Sequence, residues 1–379
     1  TIMPISKINL TSGITGVLPS ANATYSAARK NAEPLIINGN MAVSQRGTSF
    51  SNPGDGVYTL DRWECQKNHD GAITVSQEAL TSGNAYNDGF KTALKCDITT
   101  ADTSLSSGQK FFIQQIIEAQ NLQVLKFGTS SAEKLTLSFW VKATKTGTNV
   151  VRMYAYDDDR SCSQTYTISS SDTWEKKVIN FPADTTGVID NDNGHGIQIS
   201  WALMAASNFQ SGTLATSWAA NTSATDFGGQ VNHMDSTSNT WHITGVQLEV
   251  GEFTSSTISP FQHESYGDNF LRCLRYYHDD ALYNPGNGDR AVMEALIPND
   301  GNNFRHLWKQ FPVPMRAAPS TSDVIFRDDT GDSTTQSGQD DSQLRTILTA
   351  DLYGRANVGS GDNDTNSMYY HGAKFDAEL

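Results

Sequence analysis

Apolar and polar side chains alternate along several segments of the chain, a pattern typical of β-strands whose two faces meet different environments. The segments EKLTLSFWVKA and TNVVRMYAYDDD show the alternation most clearly. One face of each strand is predicted to enter a core, through Leu135, Leu137, Phe139 and Val141 in the first segment and Val151, Met153 and Ala155 in the second.

Further strand-like runs follow one another between residues 34 and 264 without helical periods between them: KFFIQQIIEA, TWEKKVINFP, HGIQISWALMA and TWHITGVQLEVG. Gly, Ser, Thr, Asn and Asp are abundant along the chain and favour short turns between strands. Repeated half-buried strands at this spacing predict a two-sheet jelly-roll β-sandwich over residues 34–264. The fold class is therefore predicted to be mainly β.

Three regions flank the predicted sandwich. Residues 1–33 scatter Ile, Leu and Val among small polar residues; they are too few to bury a core alone, and we expect an arm that orders on a partner, with a disordered tail as the alternative. Residues 265–285 have helical spacing, with Asp268 as the expected N-cap, and predict a short helical connector. Residues 286–379 contain more strand-like runs around the apolar-free segment RDDTGDSTTQSGQDDSQ, an expected hairpin or solvated loop, and predict a small C-terminal β domain.

Charge and cysteine content argue against several classes of protein. The chain has 41 acidic and 27 basic residues, a net charge of −14, which would repel the phosphates of nucleic acid. Its four cysteines lie far apart, without a CxxC pair or a histidine at zinc spacing, so we expect reduced thiols. No signal-peptide pattern and no apolar run of about 20 residues is present, which predicts synthesis in a cytoplasm without membrane insertion.

An opening stretch, NGNMAVSQRGTSF at residues 38–50 followed by DRW at 61–63, is rich in turn-forming residues. Asn and Gly tolerate a positive φ, and Asn side chains bond nearby backbone. Asp61 and Arg62 are expected to form a charge-assisted pair that holds the next strand. We interpret this stretch as structural, closing the edge of the sandwich and setting its register.

The ordered phrases of the chain resemble a family of bacteriophage tail-fibre and receptor-binding proteins. These phrases are LIINGNMAVSQRGTSF…YTLDRWECQ, FIQQIIEAQNLQVLKFGTSSAEKLTLSFWVKATKTGT, TWEKKVINFP, WHITGVQLEVGEFTSSTISPFQHESYGDNFLRCLRYYH, FPVPMRAAPS and the final DAEL. The resemblance spans most of residues 35–277 and returns at 311–319. The central segments are also similar, more distantly, to jelly-roll carbohydrate-binding modules.

The resemblance implies a virion component located in the tail and assembled in the host cytoplasm. It implies a homotrimer whose residues 1–33 dock on other tail or baseplate proteins. Its distal domains would then meet a host-surface polysaccharide or lipopolysaccharide. The modules that it resembles often hold a structural calcium near the first strand, so calcium stays a minor option beside the expectation of no cofactor.

Two positions depart from the family pattern. Met41 stands where the family commonly has an aromatic residue after NGN, which puts an aromatic role of that strand in doubt. Leu274 stands in CLRYYHDD where the family often has CQRYY, which suggests a packing contact particular to this chain.

Enzymatic motifs are absent from the sequence, and we expect a protein that is not an enzyme. There is no GxSxG, HExxH, phosphate-binding glycine loop or catalytic-cysteine signature. Asp157, Asp158 and Asp159 could supply paired carboxylates for glycoside hydrolysis, but three adjacent acids at a strand end favour a solvated turn.

The exposed strand faces predict a glycan-binding site. Aromatic rings stack on sugar rings, while amides and arginine bond hydroxyls or carboxylates. The first candidate set lies on strands and contains Trp140, Arg152, Tyr154, Tyr156 and Gln198. The second lies in a long loop-like run and contains Phe209 and Trp218, since recognition often varies in loops on a rigid β scaffold.

Two alternatives remain open for these residues. A loop, the N-terminal arm or a neighbouring subunit could cover the aromatic sheet face, and the last β domain could make the host contact instead. At the level of function, the chain is expected to be an adhesive phage tail fibre; a non-adhesive virion protein, such as a head fibre, collar or baseplate decoration, is the alternative.

Overall fold

A computed structural model describes residues 33–279, 293–295, 304–328, 333–335, 343–347, 351–357 and 368–379. The predicted N-terminal arm, apart from Glu33, lies outside the described residues, as does the 280–285 part of the predicted connector.

Thirteen strands are described between residues 49 and 250. In chain order they are β1 Ser49–Ser51, β2 Val57–Tyr58, β3 Glu64–Asn68, β4 Ala72–Ala79, β5 Thr92–Thr100, β6 Lys110–Glu118, β7 Leu135–Ala143, β8 Gly147–Ala155, β9 Arg160–Ile168, β10 Glu175–Phe181, β11 His195–Ala205, β12 Ala219–Ala220 and β13 Thr240–Val250.

These strands form two antiparallel sheets. The six-stranded sheet has the order β1-β4-β5-β13-β7-β10, and the seven-stranded sheet has the order β12-β9-β8-β11-β6-β3-β2. The long strands predicted from the alternating segments are all present in one sheet or the other. The prediction of a mainly β chain with a β-sandwich is therefore confirmed.

One continuous hydrophobic core lies between the two sheets. Phe139 and Met153, predicted to point inward from their strands, are fully buried in it. Phe139 packs edge-on against Trp201 with 5.7 Å between ring centroids, and Trp201 lies 5.6 Å from Trp63. Since β7 and β11 belong to different sheets, the Phe139–Trp201 contact joins the two layers.

Short helices connect the strands. They are α1 Asn84–Asn87, α2 Ser207–Gln210 and α3 Tyr266–Leu274, with 3₁₀ turns at Ala119–Leu125, Ser223–Thr225 and His233–Asp235. The predicted helix is α3, but its N-cap is Ser265 and not Asp268. The Ser265 hydroxyl accepts a hydrogen bond from the Asp268 amide, as a serine N-cap does for the third residue of a helix.

Strands after α3 form two further antiparallel sheets. The first strand, β14 Tyr277–Asp279, lies in the predicted connector, and the others lie in the predicted C-terminal region: β15 Met293–Ala295, β16 Phe304–Gln310, β17 Ser320–Asp328, β18 Ser333–Thr335, β19 Gln343–Ile347, β20 Asp351–Asn357 and β21 Met368–Asp376. One sheet has the order β14-β21-β17-β18 with β15 beside β21, and the other has the order β16-β20-β19. RDDTGDSTTQSGQDDSQ was expected to be a hairpin or solvated loop, and the hairpin is confirmed, since β17 and β18 pair antiparallel with Arg327 opposite Ser333.

The opening stretch is a compact turn under the sandwich. Asn38, Met41 and Arg62 have φ values of 55°, 59° and 71°, in the left-handed region that non-glycine residues rarely adopt. The Asn38 amide donates to the carbonyls of Val43 and Asp61, at 2.9 Å each, and so joins the two halves of the stretch.

The expected pair between Asp61 and Arg62 does not form. Asp61 accepts hydrogen bonds from the Gln45 amide group at 2.6 Å and the Gln45 backbone N–H at 3.1 Å. Arg62 instead pairs with Glu378, more than 300 residues further along the chain. Neighbours in sequence therefore take partners on different elements, which local spacing does not reveal.

All four cysteines are free and buried, as expected of reduced thiols. Burial raises the pKa of the Cys65 thiol to about 12, and the pKa of Cys96 is also raised by burial. These thiols therefore stay protonated at neutral pH. Within the described ranges, no helix is both long and apolar enough to cross a membrane.

Candidate functional site: a polar trough on the seven-stranded sheet

The outer face of the seven-stranded sheet carries two polar rows that cross its strands. Residues directly opposite one another in register point to the same face of a sheet. The first row consists of Glu64, Gln114, Ser200, Arg152 and Ser163. The second row consists of Gln198, Tyr154 and Ser161, with the apolar Ile116 at one end.

Hydrogen bonds between side chains fix the middle of these rows. The Gln114 amide donates to Glu64 Oε2 at 2.8 Å, and the Gln198 amide donates to Gln114 Oε1 at 2.6 Å. The Ser200 hydroxyl donates to the same Gln114 oxygen at 3.1 Å. These side chains are buried, so they form a rigid polar floor with settled orientations.

An aromatic group stands at one end of this floor. Tyr156 is 54% exposed and stacks on His195, with 4.8 Å between ring centroids and 27° between planes. Tyr154 meets Tyr156 edge-on at 6.1 Å, and its hydroxyl donates to Asp159 Oδ1 at 2.9 Å. The arrangement presents the exposed Tyr156 ring, supported by His195 and Tyr154, to solvent.

Tyr154 and His195 carry no charge at neutral pH. Burial, with the positive charges of Arg316 and Arg62 as lesser causes, lowers the pKa of His195 to about 4. Burial, the hydrogen bond to Asp159 and the charge of Asp159 raise the pKa of Tyr154 to about 12. Such a neutral platform suits stacking on an uncharged ring better than binding of an ion.

Two walls bound the floor. On one side the loop after α2 places Asp226 against Arg152, whose guanidinium donates to Asp226 Oδ2 at 2.5 Å and lies 5.3 Å from the Phe227 ring. On the other side the wall consists of Tyr58 and Leu379, where the Tyr58 hydroxyl donates to the Leu379 carbonyl at 3.0 Å. We call this surface the trough; its floor is Glu64, Gln114, Gln198 and Ser200, and its platform is Tyr154, Tyr156 and His195.

Four of the predicted binding residues meet in the trough. Arg152 and Tyr154 lie on β8, Gln198 lies on the adjacent strand β11 of the same sheet, and Tyr156 directly follows β8. Arg152 is committed to Asp226, so its role there is to hold the loop rather than to stand free in the trough.

Trp140 was predicted to share this face, and that prediction is wrong. It belongs to β7 in the six-stranded sheet, on the other side of the sandwich. Its indole N–H donates to Asp88 Oδ2 at 3.0 Å, and its ring packs beside a small cluster that includes Trp174. Alternation shows which residues of one strand share a side, but it does not show which sheet the strand joins.

The predicted loop residues also differ from expectation. Trp218 is only 8% exposed, donates its indole N–H to the Pro182 carbonyl at 2.8 Å and packs edge-on against Phe127 at 5.4 Å. Phe209 is half-buried against Phe112, with 6.1 Å between ring centroids. The loop folds back onto the sheet, and its aromatic residues serve as anchors.

Sequence reasoning missed Glu64, Gln114 and Asp226 as parts of this surface. Gln114 had a signal, since it is one of two adjacent glutamines inside the apolar run KFFIQQIIEA. Its neighbour Gln115 points the other way and donates to the Ile37 carbonyl at 2.9 Å. Asp226 had no comparable signal because its partner Arg152 is 74 residues away in sequence.

Comparison with known proteins gives low similarities only. No protein-family model and no curated protein matches the chain. The enzymatically active domain of tailspike protein 4 from bacteriophage CBA120 is similar over 53% of this chain and 21% of that chain, at 12% identity and a TM-score of 0.29.

Carbohydrate-binding modules show a similar degree of likeness. The family 11 module from Clostridium thermocellum, in complex with a β-1,3-1,4-mixed-linked tetrasaccharide, is covered over 98% of its length by 56% of this chain, at 11% identity and a TM-score of 0.27. The module TmCBM61, in complex with β-1,4-galactotriose, is covered over 99% by 58% of this chain, at 10% identity and a TM-score of 0.27.

Proposed function

We propose that the protein is a bacteriophage tail-fibre protein that binds a host cell-surface glycan in the trough. The observation that carries the glycan proposal is the Tyr156 ring, exposed to solvent and held from behind by His195. An exposed, supported aromatic ring beside fixed amide groups is the arrangement that recognises a sugar ring and its hydroxyls. The tail-fibre part of the proposal rests on the ordered sequence resemblance.

The geometry favours an uncharged sugar unit at the platform. Tyr154 and His195 are neutral at physiological pH, and the nearby Arg152 is already paired with Asp226. Gln198 lies on the strand next to Tyr154. The part of its amide group that is not bonded to Gln114 could form hydrogen bonds with sugar hydroxyls. We therefore assign the site to Tyr154, Tyr156, His195 and Gln198, with Arg152 as a positioning residue.

The remaining parts of the proposal concern assembly. We propose that residues 1–33 attach the chain to other tail or baseplate proteins and that the chain is a homotrimer in the virion tail. We also propose that it is not an enzyme and needs no cofactor. The described residues contain no group of three or more His, Cys, Asp or Glu that could hold a metal ion. If the whole chain needs no metal, chelation with EDTA should leave the Tm unchanged.

A glycan array and a cell-adsorption assay with the full chain test the proposal. Tyr156→Ala should reduce both signals at least tenfold, because stacking on the ring is lost. Tyr266→Ala is the matched control, since Tyr266 is also exposed and also stacks on a neighbour, Phe270, but lies on α3.

The other outcomes separate the alternatives. Binding that survives Tyr156→Ala would remove the trough as the site. A wild-type chain that binds neither glycans nor host cells, yet is found in virions, would favour the non-adhesive decoration. Release of reducing sugar from a bound polysaccharide would show an enzyme.

A further inference from the structure

The segment Asp376–Leu379 lies in a groove at the base of the sandwich, next to the trough wall formed by Tyr58 and Leu379. Arginine side chains from three parts of the chain converge on this short segment, which carries two carboxylates. We call this surface the tail groove, formed by Arg46, Tyr58, Arg62 and Arg316.

Arg62 forms the floor of the tail groove. It is 1% exposed, and its guanidinium pairs with Glu378, whose side chain is 4% exposed. The same guanidinium donates to the Ile116 carbonyl and lies over the Tyr276 ring, 3.5 Å from its centroid. A buried arginine without a carboxylate would be strongly unfavourable, so an occupant of the groove must bring an acid to this position.

Arg46 holds the rim. Its guanidinium donates to Asp376 Oδ2 at 3.0 Å and to Glu378 Oε1 at 3.4 Å, and it lies over the Tyr277 ring at 3.6 Å. Asp61 lies 3.8 Å from the same guanidinium. Arg46 therefore bridges the acidic segment and the opening stretch.

The groove also binds the backbone of the segment. Arg316 donates to the Ala377 carbonyl at 2.7 Å and to the Glu378 carbonyl at 2.8 Å. The Tyr58 hydroxyl donates to the Leu379 carbonyl, and the Ala377 N–H donates to the Tyr276 carbonyl at 2.8 Å. Contacts to successive carbonyls together with two acid positions are the features of a peptide-binding site.

We propose that the tail groove is a binding site for an acidic peptide, filled here by residues 376–379 acting as a separable ligand in the same chain. Glu378 is its buried anchor and Asp376 its rim contact. The segment thus fastens the last strand, β21, to the sandwich as a latch. A peptide with the same acid spacing, such as this segment from a second copy, would compete for the groove.

A peptide-binding experiment on the full chain tests this proposal. Asp376→Asn and Glu378→Gln together neutralise the chain's own segment and should free the groove. A fluorescent peptide of residues 373–379 should bind this double variant at least tenfold more tightly than it binds the wild-type chain, as measured by anisotropy. Adding Arg46→Gln should reduce that binding at least tenfold, because the rim contact is lost.

Glu252→Gln is the matched control. Glu252 forms an exposed pair with Lys134 elsewhere on the surface, so its neutralisation should not admit the peptide. Peptide binding to the control would mean non-specific attraction and would overturn the proposal. Failure of the double variant to bind the peptide would overturn it too, as would binding unaffected by Arg46→Gln.

Folding of the variants also decides the question. A double variant that has lost its circular dichroism signal would show that residues 376–379 are an inseparable part of the core, which contradicts a latch. In the wild-type chain, the Ala377 amide should exchange with solvent through local opening, faster than core amides. Exchange only through global unfolding would likewise overturn the proposal.

Discussion

At the scale of single residues, Asp61 is a carboxyl group that is almost completely shielded from solvent. It is 1% exposed, and burial raises its pKa to about 6, against the opposing hydrogen bonds from Gln45 and the charge of Arg46. A carboxyl with a raised pKa binds its proton more tightly in the folded state than in the unfolded chain. Its protonation on acidification therefore stabilises the fold.

The resulting prediction concerns stability against pH. Between pH 7 and pH 5 the free energy of unfolding should gain about 1 kcal/mol from Asp61, as the pH passes through its folded pKa and remains above its unfolded value near 3.9. Histidines whose pKa is lowered by burial, such as His195 and His233, oppose this gain, because the unfolded chain binds their protons more readily. Chemical denaturation of the wild-type chain and of Asp61→Asn at pH 5, 6 and 7 therefore measures the share of Asp61 as the difference between the two proteins. The pKa values of Glu64 and Asp226 are also raised by burial and contribute in the same direction as Asp61.

Asp61→Asn isolates the share of Asp61, because the other buried carboxyls titrate in both proteins. Between pH 7 and pH 5 the change in the free energy of unfolding should be about 1 kcal/mol less favourable in the variant than in the wild-type chain. Equal slopes for the two proteins would mean that Asp61 keeps an ordinary pKa in the fold.

The sequence predicted the direction of a side chain well where the alternation within its own strand decides it. It predicted poorly where the side chain depends on a partner far away in the sequence. The inward direction of Phe139 and Met153 follows from alternation alone, and both are buried. The partners of Arg62 and Arg152 are 316 and 74 residues away, so no local pattern contains them. Trp218 lies in a hydroxyl-rich segment that predicts a solvated loop, yet its ring enters the core.

At the scale of elements, the opening stretch and strand β13 fit together through a glycine. The Gly39 carbonyl accepts a hydrogen bond from the Val246 N–H at 2.9 Å, at the point where the pairing of β13 with β7 shifts between Thr244 and Gln247. A Cβ atom at position 39 would lie 2.2 Å from the Val246 carbonyl oxygen. The two backbones can therefore approach this closely only with glycine at position 39.

Gly39→Ala should destabilise the fold by at least about 2 kcal/mol, since the added methyl group forces one backbone segment to move. Denaturant unfolding of the full chain measures the loss. Gly54→Ala is the matched control, because its Cβ would meet Val57 at an ordinary 3.4 Å and should change stability by less than about 1 kcal/mol. Equal stability of the two variants would show that the turn containing Gly39 can move away from β13 at little cost in free energy.

The elements themselves were largely predictable, while their assignment to sheets was not. Long alternating segments such as 133–143 and 195–205 are β7 and β11, because half-buried strands need that pattern. The sheet orders place β13 between β5 and β7, and β6 between β11 and β3, pairings that span up to about 150 residues. Pairing over such distances is decided by packing of the whole core. Trp140 and Tyr154 therefore lie in different sheets, on opposite sides of the sandwich.

At the scale of the whole molecule, the proposed homotrimer gives a direct prediction. Residues 1–33 carry scattered apolar side chains that are too few to form a core alone and therefore need a partner. We expect a trimer at micromolar concentration by light scattering or sedimentation. Removal of residues 1–33 should give a monomer if the assembly element lies there, whereas monomer mass for the full chain would contradict the trimer.

Net charge predicts how adsorption responds to salt. With a charge of −14, the chain is repelled by an acidic bacterial surface, so short-range contacts must provide the affinity. Adsorption to host cells should stay constant or increase when salt is raised, since charge repulsion is screened within about 8–10 Å at physiological ionic strength. A steep loss of adsorption at modest salt would indicate an electrostatic contact instead of the Tyr156 platform.

The pair between Arg62 and Glu378 also has a consequence for synthesis of the chain. Its two partners are separated by 316 residues, and translation adds about 5–20 residues per second. A nascent chain therefore waits roughly 16–60 s between the appearance of Arg62 and that of Glu378. During this interval the base of the sandwich cannot close around Arg62, so this folding step must wait until Glu378 has emerged from the ribosome.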